Sequence, residues 1–217
     1  MAFNRILGAA LTVAALALAL VSAPGRAAAE PIAIVAFGDS LTAGYGLDPG
    51  QAFPEKLQVA LVSGGHDVVI ANAGVSGDTT SGGLSRLDWS VPDGTKLVIL
   101  ELGANDMLRG ITPAVTEKNL DAMITRLKER GIAVLLAGML AAPNLGPDYA
   151  DAFNAIYPRL AAKHGVSLYP FFMEGVAAQR NLLLDDGMHP NAEGVDAVVA
   201  GILADVERAI TAIEGDS

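Results

Sequence analysis

The sequence predicts an α/β protein, a three-layer α/β/α sandwich about a five-stranded parallel sheet. Two observations predict it. The strand-like segments are continuous apolar runs rather than alternations of apolar and polar residues, the pattern of parallel strands buried on both faces. These runs alternate with helix-like segments, the βαβ rhythm that places helices on both sides of a sheet. No repeat, low-complexity tract or charge block divides residues 30–217 of the 217-residue chain, so one domain is expected over that range.

The elements follow in order. Ile32–Phe37 is the first strand, and Phe53–Ser63, "FPEKLQVALVS", has helical spacing. Asp67–Asn72, "DVVIAN", is the second strand and Lys96–Leu102, "KLVILEL", the third. Thr112–Arg130 is a long amphipathic helix, with Pro113 suited to its first turn and Gly131 at its end. Ala133–Gly138, "AVLLAG", is the fourth strand. Asp148–His164 reads as a helix in which Pro158 is the expected site of a kink. Val166–Pro170 is a short fifth strand, and Asn191–Ile213 is the C-terminal helix.

The first 29 residues stand apart. Arg5 precedes an apolar run from Ile6 to Val21, and Ala27-Ala28-Ala29 supplies the small residues of a processing site. This is the pattern of a secretory signal cleaved near Ala29. The run is short for a membrane span, which needs about 20 residues. Export to the periplasm or beyond is the expectation. Cleavage removes Arg5 and Arg26 and no acid, so the formal charge moves from −10 to −12. An acidic chain with no basic block is not built for nucleic acid, because phosphate binding needs clustered Lys and Arg. Cysteine is absent, which removes thiol nucleophiles and cysteine metal sites.

In open parallel sheets, ligands sit beyond the carboxyl ends of the strands. The loops there are unusual. Gly38-Asp39-Ser40 follows the first strand, within "IAIVAFGDSLTAGYG" (residues 32 to 46). "NAGVSGDTTSGG" (72 to 83) follows the second, and "GANDMLRG" (103 to 110) follows the third. "DDGMHPN" (185 to 191) precedes the last helix.

These four loops resemble, in order, the four blocks of the SGNH (GDSL-type) hydrolase family, across essentially all of residues 30–217. "SGDTT", "IYPRLA" and "PFFMEGV" add to a likeness with its bacterial periplasmic thioesterase, lysophospholipase and arylesterase branch. The resemblance implies a flavodoxin-like sheet and a set of roles. Ser40 matches the nucleophile, His189 the general base and Asp186 the acid that orients it. Gly77 and Asn105 match oxyanion-hole donors beside the Ser40 backbone N–H. Ala104 stands where that branch often has a second glycine, a departure that tightens the loop slightly.

The residues make chemical sense in those roles. A serine hydroxyl is a poor nucleophile at neutral pH and needs a base. Histidine suits that work, with an ordinary pKa near 6.5, and the chain has three. His66 lies in a turn and His164 at a helix end, where a cation is mildly favoured. Only His189 follows an acid at three residues' distance. That separation is about one helical turn, near enough for Asp186 to accept from one imidazole nitrogen while the other faces Ser40. Asp185 is the rival acid, with a solvated or capping role as the simpler reading. An oxyanion needs donors, not carboxylates. Gly77 lets backbone approach without a Cβ, and the Asn105 amide adds a side-chain donor. Asp39 is expected to be a local hydrogen-bond acceptor rather than an acid catalyst.

The expected reaction is acyl transfer to Ser40 followed by hydrolysis, with no cofactor and no metal, since no His-Glu-x-x-His or comparable spacing is present. No Gly-x-Ser-x-Gly elbow, Walker loop or Gly-x-Gly-x-x-Gly occurs either. The resemblance implies aryl esters, acyl thioesters and lysophospholipids as substrates, and a monomer is expected. In residues 139 to 153, Leu140, Pro143 and Leu145 are candidates to line an acyl groove, against ordinary loop packing. The alternatives are a carbohydrate O-acetylesterase and a non-catalytic exported lipid-binding protein. With 5% aromatic residues and a single Trp89, a sugar-stacking platform has little to build on.

Overall fold

The computed structural model describes residues 30–215; the expected export signal, residues 1–29, lies outside them. In chain order the elements are β1 (Ile32–Gly38), α1 (Ser40–Ala43), α2 (Phe53–Ser63), β2 (Val68–Gly74), α3 (Thr80–Ser90), β3 (Leu97–Glu101) and α4 (Ala104–Leu108). There follow α5 (Pro113–Glu129), β4 (Ala133–Ala137), α6 (Pro147–Asn154), α7 (Ile156–His164), β5 (Ser167–Tyr169) and α8 (Ala192–Gly215). The strands form one parallel sheet in the order β2-β1-β3-β4-β5, the flavodoxin-like order. Helices α2 and α8 pack together, and α3, α5 and α7 form a second group. The chain steps from β1 outward to β2 and then back to β3. Right-handed crossovers in opposite directions put α2 and α3 on opposite faces.

The core is the apolar content of the central strands. β1 and β3 are buried almost throughout. On α5 the buried residues Thr116, Asn119, Leu120, Met123, Ile124 and Leu127 make one stripe at helical spacing. β2 departs from the expectation of strands buried on both faces. It is an edge strand, shifted to end at Gly74, with Val69 exposed.

Two helices differ from the sequence reading. The expected 148–164 helix breaks at Ala155 into α6 and α7, three residues before Pro158. Pro158 thus falls in the first turn of α7, where a missing N–H costs nothing. Helix α3 was not foreseen, because Ser81, Gly82 and Gly83 are poor helix formers. The structure explains Gly83: a Cβ there would lie 2.3 Å from Leu102 Cδ1. The glycine that obscures the helix in the sequence lets it approach the sheet.

One buried group in the sheet is a carboxyl. Glu101, at the end of β3, has no solvent exposure. Its Oε2 accepts from Thr42 Oγ1 at 2.8 Å and from the Asp39 N–H at 3.3 Å, and its Oε1 has no partner. Burial, and then the charge of Asp39, push this carboxyl well above its ordinary value of 4.5. A raised folded-state value favours the protonated form on folding. The stability it contributes is complete below pH 4.5 and is lost as pH rises toward the folded-state value. Glu101→Gln keeps the accepting carbonyl and cannot ionise. It is expected to be the more stable protein at pH 7, with a flatter decline of stability above pH 4.5 in urea unfolding. An unchanged pH slope would mean that Glu101 ionises freely in the fold.

Candidate active site

β1 and β3 are neighbours at the centre of the sheet, and the chain leaves them in opposite directions. This is the switch point, where a crevice opens beyond the strand ends. β1 delivers Ser40 into it. Asp39 caps α1, its Oδ1 accepting from the Leu41 N–H at 3.0 Å, so Ser40 is the first helical residue. Its N–H is among those that the start of a helix leaves without a helical partner. Gly38 makes this tight exit possible, since a Cβ there would sit 2.1 Å from Thr42 Oγ1.

The histidine arrives from the other end of the chain. His189 Nε2 lies 2.9 Å from Ser40 Oγ, and its Nδ1 lies 2.6 Å from Asp186 Oδ2. The two residues between Asp186 and His189, Gly187 and Met188, do not form a helical turn. Asp186 Oδ1 instead accepts the backbone N–H groups of Met188 (2.9 Å) and His189 (3.0 Å), a side-chain-closed loop. The His189 N–H first, and the Met188 N–H next, hold the Asp186 carboxyl down to about 2. Asp185 is exposed and takes no part. His66 lies 3.9 Å from Glu207, and His164 lies 2.6 Å from Asp121, both away from Ser40. The Tyr45 ring packs at 4.5 Å from the His189 ring and was not foreseen.

Gly77 and Asn105 reach the same crevice from β2 and β3. Gly77 sits in a turn closed by the Asp78 N–H to the Val75 carbonyl, at a φ of +81° that glycine adopts freely. Asn105 Nδ2 donates to Asp39 Oδ2 at 2.9 Å, which leaves its second hydrogen for the crevice. Asp39 is thus the expected acceptor, with a longer reach than expected. Burial raises its carboxyl to about 6, against the opposing hydrogen bonds from Leu41 and Asn105. Behind Asn105, the buried Asp106 accepts from the Thr80 N–H (2.8 Å), Thr80 Oγ1 (2.5 Å) and Thr116 Oγ1 (3.1 Å). It thereby ties α4 to α3 and α5.

The residue that sequence reasoning missed is Arg86 on α3. It is buried, and its guanidinium donates to Asp78 Oδ2 (2.7 Å), the Ala73 carbonyl (2.9 Å) and the Gly38 carbonyl (2.9 Å). It also lies 4.0 Å over the Phe37 ring. It therefore holds the ends of β1 and β2 and the acid next to Gly77. In the sequence, no local pattern marks Arg86 and Asp78 as a buried pair.

Beside Ser40 a cavity of about 410 Å³ opens, walled by Met107, Met139, Leu140, Phe171, Met173 and Leu183. Of the three groove candidates, only Leu140 lines it. Pro143 is exposed on a single 3-10 turn, and Leu145 packs against the core. The wall comes instead from α4 and from the "PFFMEGV" segment. Among the described residues no group of three His, Cys, Asp or Glu side chains forms that could hold a metal.

Comparison with known proteins agrees with this geometry. Residues 36–197 match the GDSL-like Lipase/Acylhydrolase family. The chain is 42% identical to Esterase TesA of Pseudomonas aeruginosa, over 80% of this chain and 86% of that one. It is 43% identical to an Arylesterase of Vibrio mimicus (74% and 80%) and 39% identical to Thioesterase 1/protease 1/lysophospholipase L1 of Escherichia coli (77% and 79%). The solved structure of AlinE4, an SGNH-hydrolase family esterase, superposes with a TM-score of 0.71 at 48% identity, over 83% of this chain and 97% of that one. The family match over residues 36–197, with Ser40, Gly77, Asn105 and His189 meeting in one crevice, identifies the chain as a member of the GDSL-like lipase/acylhydrolase family and an ester hydrolase of the SGNH type.

Proposed function

We propose that the chain hydrolyses carboxylic esters and thioesters of apolar acyl groups through an acyl-enzyme on Ser40. The observation that carries this is the unbroken relay Ser40 Oγ, His189, Asp186, at 2.9 and 2.6 Å. Ser40 Oγ attacks the acyl carbonyl while His189 Nε2 takes its proton. Asp186, held ionised, fixes the tautomer with Nδ1–H and stabilises the imidazolium that forms. The carbonyl oxygen becomes an anion facing the N–H groups of Ser40 and Gly77 and the Asn105 amide. His189 then returns the proton to the leaving alcohol or thiol. Water, activated by the same imidazole, releases the acid.

The apolar cavity beside Ser40 supports an acyl group longer than acetyl. Each buried methylene contributes about 0.8 kcal/mol, and an acetyl group would leave the Met- and Leu-lined space unused. A carbohydrate O-acetylesterase is therefore the weaker reading. The intact relay disfavours a lipid carrier without activity. The relay is complete within one chain, so the proposed chemistry needs no second subunit, and we infer a monomer. We infer export as well, from the Arg5 start, the apolar run and Ala27-Ala28-Ala29; residues 30–217 are then the mature enzyme. No helix among the described residues is long and apolar enough to cross a membrane.

Ser40→Ala is expected to lower kcat for p-nitrophenyl ester hydrolysis by at least about 10³-fold, with the circular dichroism spectrum unchanged. Hydrolysis retained by the pure variant would assign the nucleophile elsewhere. Across p-nitrophenyl acetate, butyrate and octanoate, kcat/KM is expected to rise by at least about tenfold from acetate to octanoate. A rate highest on acetate, or on acetylated xylan, would favour the O-acetylesterase.

A further inference from the structure

Sulfur is placed unevenly in this chain, and the chemistry above makes no use of it. Cysteine is absent, so every sulfur atom is a methionine thioether. Five methionines lie among the described residues, and four of them, Met107, Met139, Met173 and Met188, line the cavity beside Ser40. The fifth, Met123, is wholly buried in the core.

The four are not equivalent. Met107, Met139 and Met173 are buried in the wall, and Met107 Sδ already accepts the Ala142 N–H at 3.0 Å. A thioether is oxidised through a sulfur lone pair, so the oxidant must reach the sulfur. Met188 is 53% exposed and directly precedes His189. Its N–H donates to Asp186 Oδ1 at 2.9 Å, so the side chain leaves the loop at a fixed point on the cavity rim. Tyr45, Leu108 and Leu140 are exposed on the same rim, which makes the mouth apolar. The one accessible sulfur of the cavity therefore sits where a change of polarity meets an incoming substrate.

We propose that Met188 is an oxidation site: a hydroperoxide converts it to methionine sulfoxide ahead of the buried cavity methionines, and the change weakens hydrolysis of longer acyl chains while sparing short ones. The effect on acyl length rests on reading the cavity as the acyl site of Ser40. The Met188 sulfur attacks one oxygen of hydrogen peroxide. An S–O bond forms, the O–O bond breaks, and the departing oxygen takes up a proton from the transferred oxygen and leaves as water. Sulfur is oxidised and peroxide reduced. The product puts a polar, chiral group where a flexible apolar one stood. The sulfoxide binds water at the rim, and a long acyl chain must displace that water to pass. An acetyl group buries one methyl and has little contact with the wall to lose. The relay keeps its geometry, because Asp186 holds the loop through the backbone N–H groups of Met188 and His189.

The test treats the active protein with hydrogen peroxide, removes the excess with catalase, and maps sulfoxide by mass spectrometry. In parallel, kcat/KM is measured on p-nitrophenyl acetate and octanoate, which share a leaving group. Of the cavity methionines, Met188 is expected to become sulfoxide first. As it converts, the octanoate-to-acetate ratio is expected to fall by roughly three- to tenfold, the weight of one to two buried methylenes. Methionine sulfoxide reductases of both stereospecificities, with a thiol reductant, are expected to restore it. Met188→Leu keeps an apolar side chain without sulfur, and its ratio is expected to hold through the same treatment when compared with its own untreated sample. Met188→Gln is expected to show a lowered ratio without peroxide. Sulfoxide forming first on Met107, Met139 or Met173 would overturn the proposal. So would a ratio that stays level while Met188 is fully converted, or an equal fall in Met188→Leu. Ser40→Ala, oxidised in parallel, is expected to give the same first sulfoxide, whereas octanoate turnover kept by that variant would fault the Ser40 reading and not Met188.

Discussion

Arg86 is the constraint on which the site depends. The reacting groups sit on loops after different strands, and loops after parallel strands have no hydrogen-bond ladder to hold them. The Arg86 guanidinium replaces that ladder. It grips the Gly38 carbonyl that ends β1, the Ala73 carbonyl near the end of β2, and the carboxylate of Asp78. The Ser40 loop and the Gly77 loop are therefore referred to one planar, rigid group. A buried ion pair of this kind contributes little net stability, because desolvation offsets the attraction. Its effect is positional, and Phe37 beneath it closes the underside.

The same logic governs the acids around Ser40. Asp106 accepts three hydrogen bonds and joins three helices behind Asn105. Asp39 caps the helix that begins at Ser40 with one oxygen and aims the Asn105 amide with the other. Glu101 accepts from the residues just after Gly38 and leaves one oxygen unpaired in the core. In the proposed mechanism, the stability cost of these buried carboxyls is offset by donors fixed at the carbonyl position before substrate arrives. Such preorganisation is where most of the rate enhancement in acyl transfer originates.

Much of this was legible in the sequence, because the strong signals were local. Apolar runs placed all five strands within two residues, and Phe53–Ser63 was read to the residue. Gly-Asp-Ser, Gly77, Asn105 and Asp186 with His189 stood out because their types and order carry chemistry. What was not legible depends on distant contacts. Helix α3 is hidden by Gly83, which is needed only because Leu102 lies against it. β2 reads as buried because nothing in "DVVIAN" reports that it ends the sheet. Nothing local marks Arg86 and Asp78 as a buried pair before the fold covers them. The cavity wall was assigned to Pro143 and Leu145 from their place after β4, but Met107 and Met173 reach it from other segments.

The central claim is that separate loops converge to make one serine, Ser40, uniquely nucleophilic. It is tested most directly by treating the active protein with a fluorophosphonate and mapping the adduct by mass spectrometry. The account predicts a single adduct per chain, on the peptide bearing Ser40, formed in step with the loss of ester hydrolysis. An adduct on another serine, or full inactivation with Ser40 unmodified, would contradict it.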